Sequence, residues 1–156
     1  MIDRTRIAAF LALLAVLALP AAGAADAPPE PARIETSVAP EPVAAGSTVT
    51  VTVKIVPASG IKVNRYPKIK LVVAAQENLV PASEAAVGND AAPPAGQLEA
   101  NYFKSVDPVR LEMKVSPSAK AGRHIVPAKL SYFYCVAASG FCAPARTTVE
   151  IPVTVR

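Results

Sequence analysis

The chain has few of the residue types that build metal and sugar sites. Its 156 residues include no Trp, one His and two Met. Without Trp, it lacks the aromatic platforms expected of a carbohydrate-binding surface. His124 is expected at the surface where a strand begins, and Met113 falls on the inward face of a predicted strand. A soft copper site needs more sulfur and imidazole than these residues supply, so the sequence predicts no metal and no cofactor.

The charge is weak and scattered. The formal net charge is +4 at pH 7, and basic residues do not alternate with aromatic ones. The nearest thing to a cluster is a loose run at Lys62, Arg65, Lys68 and Lys70. A modest positive excess favours solubility and acidic partners, and its pattern argues against binding to nucleic acid. No serine has the spacing of a hydrolase nucleophile elbow.

The first 24 residues are predicted to be a cleaved signal peptide. Arg4 and Arg6 precede the unbroken apolar run Ile7–Leu19, and small residues follow. The run is shorter than the ~20 residues that span a bilayer; a retained membrane anchor is the alternative. We therefore expect export to an oxidising compartment, a Pro-rich flexible lead-in at residues 25–33, and one domain over residues 34–156.

Alternating apolar and polar residues predict an all-β fold. Segments 47–57, 109–115 and 147–155 each place Val, Ile, Leu or Met on one face and polar residues on the other. In the last of these, Pro152 cannot donate to a ladder, so it is expected at a sheet edge or a bulge. Further strands are predicted at Ile34–Val38, Ile61–Val63, Lys68–Ala74 and His124–Tyr134. About seven to nine short strands separated by turns indicate an immunoglobulin-like antiparallel β-sandwich.

Residues 82–100 are predicted to form a long loop, because small residues dominate this segment. Within it, Ala82–Ala86 could form a single helical turn. No other segment after the apolar N-terminal run shows a helical period. The acidic residues of this region are expected on a solvated surface.

Both cysteines lie in one short stretch, "YFYCVAASGFCAPA", residues 132–145. Cys135 and Cys142 have six residues between them, and Ser139-Gly140 supplies a turn, so the two thiols should face each other across the mouth of a β-hairpin. The spacing is not C-x-x-C and no βαβ pattern surrounds it, which argues against a thioredoxin fold. In an exported protein a bond between them is expected. The residues alone leave open whether that disulfide is structural or reactive.

A reactive disulfide requires access and a group that favours the thiolate. Arg146 follows Cys142 closely in the chain, while Lys62 and Arg65 lie on another predicted strand. The sequence does not decide which of these basic groups lies near a sulfur.

The cysteine hairpin resembles that of a known family, the periplasmic N-terminal domain of the thiol:disulfide interchange protein DsbD. The matching elements are Tyr132, Cys135, Phe141-Cys142, Pro144 and the final strand Val149–Val155. Two upstream segments match more loosely: residues 59–71 resemble the family's strand leading into the site, and residues 99–113 lie where the family has its cap loop and the following strand.

This resemblance implies an immunoglobulin-like, monomeric module of periplasmic thiol–disulfide exchange, a component of a protein-disulfide reductase system. Its catalytic residues would be Cys135 and Cys142, with Cys142 facing the partner. The implied partners are thioredoxin-like periplasmic proteins and a membrane electron-carrying protein. The resemblance also assigns a shielding role to Tyr102 and Phe103, and a hairpin or docking role to Tyr132, Tyr134, Phe141 and Pro144.

Three features depart from the family pattern. The loop between the cysteines is one residue longer, the cap segment lacks a clear acidic pair before its aromatic residues, and neither an electron-carrying nor a thioredoxin domain follows. A stand-alone version is therefore expected. The alternative is a non-enzymatic immunoglobulin-like interaction domain in which the hairpin disulfide is structural and Tyr102 and Phe103 are ordinary core aromatics.

Overall fold

Alternating apolar and polar side chains let each strand bury one face and leave the other in water. The computed structural model describes residues 30–156, which contain eight strands and one turn of 3₁₀ helix, Leu98–Asn101. The strands are β1 (Ala32–Ala39), β2 (Thr48–Pro57), β3 (Ile61–Val63), β4 (Ile69–Val73), β5 (Ser83–Val87), β6 (Val109–Lys114), β7 (Gly122–Val136) and β8 (Cys142–Val155).

The strands form two antiparallel sheets. The first sheet has the order β1-β2-β6. In the second sheet β7 is central, with β8 along one edge and both β3 and β4 along the other. β5 pairs with β4 on the far side. β7 is long enough to hold β4 at its middle and β3 at its end, where the cysteine hairpin begins.

The two sheets enclose a core of aliphatic side chains. The inward residues of β2, Val49, Val51 and Val53, are fully buried, as the period of two predicts. No charged side chain is buried within residues 30–156. The largest fully buried side chains are those of Ile69, Leu71, Met113, Leu130 and Ile151. The predicted all-β antiparallel sandwich is confirmed, and its strand count falls in the expected range.

One predicted loop contains a strand. Ser83–Val87 forms β5, so the prediction of an unbroken loop over residues 82–100 with a helical turn at Ala82–Ala86 is wrong. Its Ala and Glu residues have little intrinsic preference for strands. Pairing overrides this preference, because the free edge of β4 carries backbone groups that need hydrogen-bond partners. The helical turn lies instead at Leu98–Asn101.

Most of the predicted N-terminal segments lie outside the residues that the structure describes. The predicted signal peptide, residues 1–24, and residues 25–29 of the predicted lead-in lie outside the described residues. β1 begins at Ala32, ahead of the predicted strand Ile34–Val38. Over residues 30–156, nothing helical has both the length and the apolar character needed to cross a membrane.

β8 is an edge strand, because it pairs with β7 on one side only. Near its end, the Thr154 carbonyl accepts a 2.8 Å hydrogen bond from the Val43 N–H, on the side away from β7. Backbone groups alternate between the two sides of a strand. The nitrogens of Pro144 and Pro152 therefore also face away from β7, and neither proline interrupts the ladder. The edge position predicted for Pro152 is confirmed, and no bulge is present there.

We expect truncation of Leu71 to destabilise the sandwich, because this residue is fully buried between the sheets. Leu71→Ala should lower the free energy of unfolding by roughly 2–5 kcal/mol. The neighbouring Val72 is 38% exposed on the opposite face, so Val72→Ala is the matched control and should cost no more than about 1 kcal/mol. Urea titration followed by circular dichroism measures both values. Equal losses would contradict this account of the core.

Candidate functional site: the disulfide hairpin

The two cysteines form the last residue pair of the longest ladder in the second sheet, next to the turn of the hairpin. β7 and β8 pair continuously, and Cys135 is directly opposite Cys142 in the last pair before the turn. The sulfurs are bonded at 2.03 Å, and the two Cα atoms are 4.0 Å apart. The predicted position of the pair at a hairpin mouth is thus the observed one.

The tip of the hairpin is held by backbone hydrogen bonds. The Val136 N–H donates to Phe141 O and the Gly140 N–H donates to Val136 O, both at 2.8 Å. Gly140 has φ 71, a left-handed conformation that glycine adopts without a steric penalty. The Ala137 N–H donates to Gly60 O at 2.8 Å, which ties the tip to the turn between β2 and β3. The backbone next to both cysteines is therefore held in place by hydrogen bonds.

Cys135 points away from the hydrophobic core. The even-numbered residues from Val126 to Tyr132 in β7 are buried in the core, so the odd-numbered Cys135 lies on the outer face of the second sheet. Its side chain is nevertheless only 3% exposed. Other parts of the chain must therefore cover it on that outer face.

Lys62, Asn64 and Tyr102 form this cover. Lys62 of β3 is the register partner of Cys135, and the next outward residue, Asn64, places its Oδ1 at 3.5 Å from the Cys135 sulfur. A disulfide sulfur has no proton, so this is a packing contact that becomes a possible S–H···O hydrogen bond after reduction. Tyr102 forms an antiparallel bridge with Asn64. Asn64 thus contacts the Cys135 sulfur, and Lys62 and Tyr102 are the cross-strand neighbours of Cys135 and Asn64 on the same face.

The cover includes an exposed ion pair. The Lys62 Nζ lies 2.9 Å from both carboxylate oxygens of Glu99 and 4.9 Å from the centroid of the Tyr102 ring. The Glu99 side chain is 81% exposed, and solvent-exposed pairs contribute little stability. The ion pair itself therefore costs little to break, whereas Asn101 also holds this segment through hydrogen bonds to the backbone of Arg65 and Tyr66.

The two sulfurs differ in access. Cys142 begins β8, the edge strand, and is exposed, whereas Cys135 is buried beneath its cover. An incoming thiolate can therefore approach the Cys142 sulfur from solvent, and the Cys135 sulfur is then the leaving group.

The predicted shielding residues are separated by the fold. Tyr102 lies in the cover of Cys135, whereas Phe103 belongs to the hydrophobic core and is 8% exposed. Adjacent residues of an extended segment point to opposite faces, which explains why only one of them reaches the outer face. The guanidinium of Arg65 stacks on Phe103, 4.8 Å from the ring centroid.

The predicted hairpin residues also divide into two groups. Tyr132 and Tyr134 pack on the inner face of β7, with ring centroids 6.5 Å apart at 52°. Phe141, which is 58% exposed, and Pro144 lie at the accessible end of the hairpin. Only the second pair is available to a protein that approaches Cys142.

Of the three basic groups that the sequence left open, Lys62 lies opposite Cys135. Arg65 packs on the core side, and Arg146 pairs with Ser131 farther along β8. Asn64 and Glu99 are site residues that sequence reasoning missed, because Asn64 and Cys135 lie 71 positions apart and no local pattern joins them. Within residues 30–156, no three His, Cys, Asp or Glu side chains come together as a metal site.

Comparisons with known proteins are negative: no family of known proteins, no curated protein and no solved structure matches the chain.

The surroundings of Tyr132 shift the acid dissociation of its phenol. Burial of the ring raises the pKa of Tyr132 above its ordinary 10.0, and the negative charges of Glu30 and Tyr134 act in the same direction. The folded state therefore holds this proton to higher pH than the unfolded state does.

We expect alkaline pH to reveal this linkage. The stability that comes from a neutral Tyr132 is complete below pH 10.0, the ordinary pKa, and is lost as the pH rises through the folded-state value. Tyr132→Phe removes the titrating group. Between pH 10.0 and the folded-state pKa, the unfolding free energy of this variant should therefore fall less steeply than that of the wild type. Urea titrations at a series of pH values measure both slopes, and identical slopes would refute the assignment.

Proposed function

We propose that the hairpin is a thiol–disulfide exchange site, which acts through Cys142 with Cys135 as the second thiol. The observation that carries this proposal is the unequal exposure of the two cysteines: Cys142 is exposed on an edge strand, and Cys135 is buried against Asn64. Unequal access assigns the two sulfurs different roles, one to be attacked and one to leave.

The exchange balances as follows. A thiolate of a reduced dithiol partner attacks the Cys142 sulfur, a mixed disulfide forms, and the Cys135–Cys142 bond breaks with Cys135 leaving as a thiolate that takes a proton from water. The second thiol of the partner then attacks the partner's own sulfur in the mixed disulfide and releases Cys142. Two electrons pass from the partner to the hairpin. The reverse sequence reduces a partner disulfide.

Lys62 is placed to assist the leaving thiolate. Lys62 is directly opposite Cys135 in the pairing of β3 with β7, and a nearby positive charge favours a thiolate. Glu99 offsets part of this charge while its ion pair is closed. A partner that opens this exposed ion pair would release the full charge of the lysine toward the Cys135 thiolate.

The fold is compatible with repeated reduction. The disulfide closes a short ring, whose loss costs about 2.5 kcal/mol by loop-closure entropy. Cys135 is buried outside the hydrophobic core cluster, so packing of the core does not depend on the bond. Export through an N-terminal signal, and exchange with thioredoxin-like proteins or a membrane electron carrier, belong to the same proposal.

A second candidate function is a non-enzymatic interaction domain with a structural disulfide. The burial of Cys135 favours it, because a buried sulfur is protected from stray thiols. The two candidates differ in what happens when the domain meets a redox buffer.

The first test equilibrates the folded domain with reduced and oxidised glutathione or thioredoxin. Exchange requires a reduction potential less negative than about −300 mV, because structural disulfides usually lie below this value. Alkylation of free thiols measures the reduced fraction, and circular dichroism of the same samples should keep its β-sheet signal. A bond that is reduced only when the domain unfolds would leave the interaction domain as the function.

The second test separates the two sulfurs. Cys135→Ser leaves the exposed thiol and Cys142→Ser leaves the buried one, so each variant is the control for the other. We expect the Cys135→Ser variant to react with an aromatic disulfide reagent at least about tenfold faster. In concentrated urea the two rates should become equal. Equal rates in the folded state, or a faster Cys142→Ser variant, would reverse the proposed roles.

A further inference from the structure

The outer face of the second sheet carries positive charges that the disulfide chemistry does not use. Lys70 of β4, Ser131 of β7 and Arg146 of β8 lie in one cross-strand row. Lys129 lies two positions before Ser131 on the same face of β7. Lys70, Lys129 and Arg146, here called the basic patch, are all exposed and border one open cavity of about 510 Å³.

The basic patch is not neutralised by its neighbours. The three ion pairs of residues 30–156 are Arg33–Glu35, Lys62–Glu99 and Lys68–Asp90, and none involves the patch. The nearest carboxylates in register are Glu84, which shares a row with Lys129 but is separated from it by Val72, and Glu150, which faces Pro127; neither forms an ion pair with the patch. The three positive charges therefore remain available to an external anion.

The outer face of the first sheet has a different charge pattern. There Glu35 faces Lys54 across β1 and β2, and Glu112 lies between Arg110 and Lys114 on β6. Signs alternate on that face, so positive charge without interleaved carboxylates is a property of the second sheet. This difference supplies a matched control surface for experiments.

The basic patch is continuous with the disulfide. Moving from Ser131 toward the hairpin tip, the next outward residue of β7 is Phe133, which faces Pro144, and the one after that is Cys135. Arg146 is four residues from Cys142, which is about 14 Å along a strand. A standard interface buries about 800 Å² per partner, a disc of about 16 Å radius. A partner centred on Cys142 would reach Arg146 at its rim, and Lys129, which is opposite Thr148 and about 20 Å from Cys142 along the strand, would act on it from just outside.

We propose that the basic patch docks an acidic surface on the protein that exchanges thiols with Cys142. This inference rests on the proposed function of the hairpin. The matching partner carries carboxylates about 14 Å from its reactive cysteine. Charges at an interface rim act mainly on the association rate, so the patch steers the partner and sets its orientation, while Phe133 and Pro144 supply the apolar contact between patch and disulfide.

The test uses two synthetic peptides, each with one cysteine separated by an extended four-residue spacer from a tract of glutamate or of glutamine. Both are added in excess to the oxidised domain, and the rate of mixed-disulfide formation is followed by mass spectrometry. At low ionic strength we expect the glutamate peptide to react about three- to tenfold faster. The difference should vanish at high salt, because the charges are exposed.

Two double variants locate the effect. Lys70→Glu/Lys129→Glu should remove or invert the preference for the glutamate peptide. Lys54→Glu/Arg110→Glu makes the same change in net charge on the outer face of the first sheet and should preserve the preference. Circular dichroism and thermal unfolding establish that both variants are folded. Loss of the preference in both variants would show that net charge alone steers the peptide, which overturns the docking site.

The remaining outcomes separate this inference from the function on which it rests. If neither peptide nor dithiothreitol opens the folded disulfide, both proposals are overturned. If both peptides react at equal rates, exchange stands and the docking site is overturned. Equal peptide rates together with binding to phosphatidylglycerol vesicles that Lys70→Glu/Lys129→Glu abolishes would assign the patch to a lipid surface instead.

Discussion

The register between β7 and β8 determines where every residue of the candidate site lies. The ladder runs without a bulge from Gly122 opposite Val155 to Cys135 opposite Cys142. A slip of one residue would turn Tyr132 outward, bring Cys135 to the core face and move the cysteines out of opposition. Such a slip would also expose the aliphatic side chains that β7 and β8 bury between the sheets. The hydrophobic core therefore sets the geometry of the disulfide.

Placing the disulfide on the outer face separates chemistry from stability. The core side of β7 packs against the first sheet, while the Cys135 sulfur contacts Asn64 on the outer face, with Lys62 and Tyr102 as cross-strand neighbours. These contacts come from segments distant in the chain, and the ion pair between Lys62 and Glu99 is exposed. The sulfurs thus lie on the opposite side of the second sheet from the residues that pack the core.

The predictions succeeded where local pattern decides structure and failed where pairing does. The strand of residues 47–57 alternates strictly, and its inward valines are the buried ones. Residues 83–87 have no such alternation, so their strand forms through hydrogen bonding to β4 and is invisible in the sequence. The resemblance assigns one shielding role to Tyr102 and Phe103, yet adjacent residues of an extended segment lie on opposite faces.

The sequence by itself determined that the fold is all-β and that the two cysteines share a hairpin mouth. Both properties follow from alternation and from a short loop with a turn, which are local. Only the tertiary structure decided that Cys135 is buried and Cys142 exposed, that Asn64 touches the Cys135 sulfur, and that Lys70 and Arg146 lie in one row. These relations depend on which strands pair and in which register, and burying the apolar faces of strands far apart in the chain decides both.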